Sequence, residues 1–300
     1  MRNSIFELYI KHVFSHRPTS PLVQAECIYT KMDGNAFWDA RAQYYKDYNE
    51  INTLPPALTL GNMLNIYEAE HIVEVACSTG LFTVFCLCNL EKAKSFISVD
   101  VSGTMIKLAK ERKHNQTGIN REIAHEFAIG SATDLSFIKD ESQDVYVSNM
   151  CIHMIPDKIR FLEEAKRVLK KGGKIGLTVP SEKDGLMDLF LTNLDRIGCK
   201  PNFKENPWSI GYKDVMVKLL QDNGFKVIYC WQDHFKLPYH DDEDIDFQLS
   251  HGDAKSFFAS LTPEKKVEFR KNIISDFASM KQNFTPLQMK LISIVAVKEV

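Results

Sequence analysis

Three places in the chain combine small or polar side chains in patterns that can do chemistry. The first is Ala76-Cys77-Ser78-Thr79-Gly80, directly after the apolar run Ile72, Val73 and Val75. Small side chains let backbone approach a ligand closely, and the N–H groups of a helix start offer donors to an anion. The second is Asp100, which ends another apolar run (Phe96, Ile97, Val99). Its carboxylate can accept hydrogen bonds from both hydroxyls of a ribose. The third is His153, a few residues past the run Asp144–Asn149. An imidazole there, with a pKa near neutrality, can accept a proton from a nucleophile or simply orient it. The turn and the histidine also have plain readings, as a strand–helix turn with no ligand and as a ring bonded to backbone at a helix start.

These residues meet only if strands bring them to one edge. The patterns predict strands over the run Ile72, Val73 and Val75, over the run that ends at Asp100, and at Ala124–Ile129, Asp144–Asn149 and Lys174–Val179. Helices are expected at Leu81–Leu90, from the Ser102 cap to about His114, and from Pro156-Asp157 to Lys171, where Gly172-Gly173 stops the last. Regular alternation over residues 71–180 is the signature of a parallel sheet flanked by helices. Upstream, Phe37–Asn49 reads as an aromatic amphipathic helix, either packed or a lid whose Trp38 and Tyr45 touch a ligand. Pro55-Pro56 reads as a breaker before a helix at Ala57–Glu68. Downstream, helices are expected at Leu186–Ile197, Tyr212–Asn223, Asp253–Ser260 and Pro263–Met280, with strands at Lys226–Trp231 and Leu291–Val297. The acidic run Asp241–Asp246 reads as a solvated loop.

Composition narrows the function classes. The net charge of −2 gives no electrostatic footprint for nucleic acid, and the basic run Lys107–His114 reads as a solvated helix face. The seven cysteines contain no C-x-x-C pair. Cys77, Cys86, Cys88, Cys151 and Cys230 sit in apolar runs and read as reduced core residues. The nine histidines are scattered, with His12 and His16 the one pair at H-x-x-x-H spacing, and no metal is expected. No integral membrane segment is expected. Phe6, Ile10, Val13 and Phe14 among Arg2, Lys11 and Arg17 suit a packing helix or a transit segment. The expected compartment is therefore cytoplasmic, with the mitochondrial matrix as the alternative.

Spacing separates the ligand classes. A dinucleotide turn wants small residues at its first, third and sixth positions, and the sixth from Ala76 is Leu81. A nicotinamide oxidoreductase is thereby disfavoured. Small residues at the first, third and fifth positions resemble the nucleotide-binding turn of class I S-adenosylmethionine-dependent methyltransferases, with Ala76 and Ser78 where that family usually has glycine. Phe127-Ala-Ile-Gly-Ser-Ala-Thr-Asp-Leu-Ser-Phe137 is similar to the family's adenine-binding turn, with Ser131 in an acidic residue's usual place. Asp144–Asp157 and the helix from Phe37 to Tyr45 resemble the small-molecule branch that methylates quinone precursors, lipids and organic acids.

The resemblance implies an α/β, Rossmann-like class I methyltransferase fold, with a mostly parallel seven-stranded sheet and a terminal antiparallel strand. A helical arm (1–60), a cofactor-binding core (61–236), a helical cap (237–286) and a last core strand (287–300) would divide the chain. It implies S-adenosylmethionine as cofactor. Glu74 and the Ala76–Gly80 turn, Cys77 included, would face its methionine end. Asp100 would take the ribose, beside Val101 and Met105, and Ser131 and Ala132 the adenine. Asn149 and Met150 would line the wall below the sulfonium, and Tyr45 would close from the arm. His153 would lie near the acceptor, a small and partly apolar molecule. Glu74 could instead cap a turn, Asn149 satisfy backbone groups and Met150 be core. The competing function is an inactive partner subunit, which Ala76, Ser78 and Ser131 favour. Acceptor identity and oligomeric state are left open.

Overall fold

Strand β1 (His71–Val75) lies mid-sheet because Ile72, Val73, Glu74 and Val75 are all buried, as a parallel strand covered on both faces requires. The chain's computed structural model describes residues 34–181, 185–199, 209–237, 242–251 and 258–299. The remaining strands are β2 (Ser95–Asp100), β3 (Ala124–Ile129), β4 (Gln143–Ser148), β5 (Leu169–Pro180), β6 (Phe225–Lys236) and β7 (Gln288–Lys298). They form one seven-stranded sheet in the order β3-β2-β1-β4-β5-β7-β6. β7 runs antiparallel to both of its neighbours, and the other pairings are parallel. The order reverses between β1 and β4, so their carboxyl ends open the crevice where doubly wound sheets bind ligands.

Helices cover both faces. On one, α1 (Gly34–Tyr44), a π-helical turn (Tyr45–Asn49) and α2 (Glu50–Leu64) lead into the sheet. Leu60 and Leu64 pack there with Phe82 and Leu87 of α3 (Leu81–Asn89) and with Phe96 of β2. α4 (Gly103–Asn115) follows β2, its start capped by the Ser102 hydroxyl, which accepts from the Met105 N–H. On the opposite face, Phe161 and Leu162 of α5 (Lys158–Val168) join Tyr146, Leu177 and, from α7 (Lys213–Asp222), Met216 and Leu220. A third cluster unites α6 (Gly185–Arg196) with α8 (Asp242–His251) and α9 (Pro263–Gln282) through Phe190, Leu194, Ile245, Leu249, Phe269 and Ile273. The helices of 237–286 therefore share their core with α6, which lies in the stretch before residue 236.

Several local expectations change. Pro55 and Pro56 lie inside α2 and do not break it. The prolines remove two donors, but Pro56, Ala57, Leu60, Gly61 and Leu64 are buried, and that packing outweighs the loss. The glycine pair does not end α5, which stops at Val168. Gly172, at φ +72°, instead lies within β5. The β4–β5 register shifts between Gln143 and Val145, so the pair serves a strand irregularity and not a helix cap. From Asp242 onward the acidic run is helical because Ile245 and Leu249, one turn apart, bury one face of α8. Cys88 and Cys230 are only half-buried, unlike Cys77, Cys86 and Cys151. Residues 1–33 and most of 253–260 lie outside the described residues. No described helix is long and apolar enough to cross a membrane.

Candidate active site

The turn after β1 keeps a backbone that glycine would adopt freely, although two of its positions are not glycine. Ala76 has φ +64°, Ser78 φ +50° and Gly80 φ +75°. A left-handed conformation costs an L-residue about 1–2 kcal/mol, so Ala76 and Ser78 hold strain that surrounding contacts must offset. Gly80 is needed outright: a Cβ there would stand 2.8 Å from the Ala109 Cβ of α4. The turn closes through Gly80 N–H to the Cys77 carbonyl at 3.0 Å. Burial pushes the Cys77 thiol well up, so this sulfur is a packing group.

Asp100 sits beside that turn. Its Oδ2 accepts the Ser78 N–H and its Oδ1 the Ser102 N–H, both at 2.9 Å. Burial raises its carboxyl, and the two N–H groups pull the other way. With two lone-pair sites used, others remain for a ligand. Val101 is partly exposed next to it, whereas Met105 is buried and serves α4 packing. The third turn is tied to the same strand end by Gly130 N–H to the Asp100 carbonyl, 3.0 Å. There the Ser131 hydroxyl accepts from the Thr133 N–H and contacts the Thr133 hydroxyl, and Ala132 is buried.

Glu74 faces the crevice from β1 and is buried with hydroxyls in place of a cation. Thr83 donates to its Oε2 at 2.5 Å and Ser98 at 3.4 Å. Ser98 continues to His125 Nε2 at 3.2 Å, and His125 Nδ1 lies 3.0 Å from Lys113 Nζ. Burial pushes the Glu74 carboxyl up to about 8 against those two hydroxyls, with Asp100 adding to the rise. Burial and then the Lys113 ammonium push His125 down to about 3, so it is neutral.

Beyond β4 the groups are arranged differently. The Asn149 amide donates to the Thr53 carbonyl at 3.0 Å and accepts from the Thr178 hydroxyl at 2.6 Å. Met150, at φ +55°, bonds through its N–H to the Thr178 hydroxyl at 2.9 Å. His153 lies on a 3-10 turn (Ile152–Met154), and its Nδ1 is buried with no hydrogen-bond partner among the described residues. Burial, followed by the Lys158 charge, lowers its pKa to about 4. The expected near-neutral pKa is thus corrected: the ring is neutral at physiological pH and a weak base.

A cleft open to solvent lies between the turn after β1 and Asn149. Tyr45, Glu74, Ala76, Cys77, Ser78 and Asn149 line it, whereas Gly80, Asp100, Val101, Met105, Ser131, Ala132, Met150 and His153 do not. The Tyr45 hydroxyl pairs with that of Thr53 at 2.8 Å, and burial holds its pKa up at about 12. The sequence reading missed Glu50 and Thr53, which also line the cleft. It also placed Arg112 on a solvated face, whereas Arg112 Nη2 reaches Glu50 Oε1 at 2.6 Å. Its missed signal was a lone acid at a helix start, Glu50, with a partner far along the chain. Asp39 of α1 was missed as well; it accepts the Ser102 hydroxyl and the Thr104 N–H at the start of α4. Among the described residues, no group of three or more His, Cys, Asp or Glu is placed to hold a metal ion.

Residues 73–177 match the family described as methyltransferase domain, over the stretch that carries β1 to β5. That match and the curated methyltransferase relatives support a class I S-adenosylmethionine-dependent methyltransferase. S-Adenosylmethionine is the cofactor of this family. The methyltransferase is 29% identical over 196 residues to an uncharacterized protein of Methanocaldococcus jannaschii, covering 64% of this chain and 81% of that one. It is 28% identical over 177 residues to a malonyl-[acyl-carrier protein] O-methyltransferase of Paenibacillus, covering 58% and 62%. With a demethylmenaquinone methyltransferase of Lactiplantibacillus plantarum it shares 30% over 121 residues, covering 40% and 49%. The methyltransferase thus spans under two thirds of those last two relatives. Its fold matches a Bacillus halodurans protein described as a candidate methyltransferase, with TM-score 0.50 and 19% identity over 82% of this chain and all of that one.

Proposed function

We propose that this protein moves the methyl group of S-adenosylmethionine to a small, partly apolar acceptor by in-line displacement. The observation that carries the reading is the left-handed Ala76–Gly80 turn, bonded through Ser78 to the buried Asp100 at the β1–β4 reversal. The residues present fit the cofactor. Glu74 is a buried carboxylate whose named partners are hydroxyls, which suits an ammonium group at the methionine end. Asp100 keeps acceptor sites for ribose hydroxyls. Ser131 and Ala132 are assigned to the adenine, with Ser131 offering backbone because its hydroxyl is engaged by Thr133. Asn149 and Met150 are assigned to the wall below the sulfonium, held rigid by Thr178.

The cofactor, when bound, supplies a methyl group already activated by its sulfonium. The chain's own contribution is placement: holding nucleophile, carbon and sulfur in line and excluding water, worth up to about 7–11 kcal/mol in ideal cases. Tyr45 and Thr53 close the crevice from the arm. His153, neutral and with an unpaired Nδ1, is assigned to accept a hydrogen bond from the acceptor and so orient its nucleophile.

Ala76 and Ser78 favoured an inactive partner subunit when read as lost glycines. Both keep left-handed backbone, which supports a working turn instead. Methyl-labelled cofactor incubated with cell extract and purified protein should label the small-molecule fraction. Label confined to protein or nucleic acid would overturn the acceptor class.

A further inference from the structure

The strain at Ala76 and Ser78 raises the question of what holds the turn in shape. Asp100 grips one side through the Ser78 N–H. The other side is gripped at Thr79, the residue between Ser78 and Gly80, by groups from two distant helices. The Thr79 hydroxyl donates to Glu50 Oε2 of α2. The Thr79 carbonyl accepts from Arg112 Nε of α4 at 3.0 Å. Arg112 Nη2 then reaches both Glu50 oxygens, at 2.6 and 2.7 Å, which closes a ring of three residues. The side chains of Glu50 and Arg112 are 2% and 15% exposed, so water screens this pair little. Thr79 is itself 1% exposed. Two of the ring's four hydrogen bonds thus end on a single turn residue.

We infer that Glu50 and Arg112 are positioning residues that clamp Thr79 and hold the Ala76–Gly80 turn in its cofactor-ready form, standing in for the glycines this chain lacks. The inference rests on the proposed cofactor site. A glycine turn pays little for left-handed backbone and has less need of a clamp, whereas Ala76 and Ser78 relax to right-handed or extended backbone when released. A pair that merely anchors α2 would matter equally in both turns.

The test is a double-mutant comparison. S-Adenosylhomocysteine affinity is measured by calorimetry for Glu50→Gln, and separately for Arg112→Lys, in the natural turn and in Ala76→Gly/Ser78→Gly. Either change should weaken binding about tenfold in the natural turn and less than threefold in the glycine turn. Equal loss in both turns, or no loss in the natural turn, would overturn the clamp. Amide hydrogen exchange at Ser78 and Gly80 is read in the same variants without ligand. It should quicken about tenfold on Glu50→Gln in the natural turn, and unchanged exchange also overturns the clamp. Natural protein that binds no S-adenosylhomocysteine while its turn exchange still responds would instead remove the cofactor assignment and leave the clamp standing.

Discussion

The segments that follow β1 and β4 lie side by side at the same reversal of strand order, yet they treat their polar groups in opposite ways. After β1, the polar groups are tied down: Ser78 to Asp100, Thr79 to Glu50 and Arg112, and Glu74 to Thr83 and Ser98. After β4, Asn149 and Met150 are fixed by Thr178, but His153 Nδ1 is buried without a partner among the described residues. The hydroxyl of Tyr146, on β4 itself, is likewise buried without a partner among the described residues. An unpaired buried acceptor costs about 1–3 kcal/mol, and folded proteins keep few of them. The difference teaches a division of labour. One segment is organised before any ligand arrives, and the other keeps a buried nitrogen with no partner among the described residues.

The largest effect should come from Gly80→Val, which attacks the organised side. A side chain at φ +75° with Ala109 2.8 Å from its Cβ forces the turn apart. Cofactor binding should vanish, and stability should fall by about 3 kcal/mol, read by denaturant titration. Retained binding would mean the turn is not the site. The next effect tests the other side. His153→Ala should lower kcat about 100-fold and leave S-adenosylhomocysteine affinity and melting temperature nearly unchanged. Because the ring's pKa is about 4, its neutral form persists and no activity step near pH 6.5 should trace to it. Normal turnover, or an unfolded variant, would make the histidine structural.

A smaller and graded effect concerns Glu74. Its folded-state pKa of about 8 lies above the ordinary 4.5, so the folded chain holds an extra proton between those values. Ligand-free stability should therefore fall as pH rises through that window. An ammonium-bearing ligand needs the carboxylate, so S-adenosylhomocysteine affinity should rise about tenfold per pH unit from 6 to 8 and then level. Glu74→Gln should flatten that slope. A flat profile in the natural protein would separate Glu74 from the ligand.

The parts legible in the sequence were those set by short-range pattern. β3 has the bounds that its apolar run indicates, β1 contains the run from Ile72 to Val75, and Asp100 ends β2 as its run implies. The missed parts depend on distant partners. Glu50 and Arg112 are 62 residues apart, and nothing in either neighbourhood announces the other. Pro55-Pro56 looked like a break because local propensity speaks before tertiary burial, which keeps α2 whole. The Asp242–His251 helix was hidden by its charge, with Ile245 and Leu249 marking its buried face among the described residues. The unpaired His153 nitrogen follows from packing that no spacing rule describes.

The central claim is that the turn after β1 and Asp100 together bind the cofactor, and isothermal titration with S-adenosylhomocysteine tests it most directly. The natural protein should bind at one site per chain and melt at a higher temperature in saturating ligand. Asp100→Ala should weaken binding about 100-fold, near 3 kcal/mol, through the lost charge-assisted hydrogen bonds. A well-folded natural protein that shows neither binding heat nor a melting shift, or an Asp100→Ala variant that binds as tightly, would contradict the account.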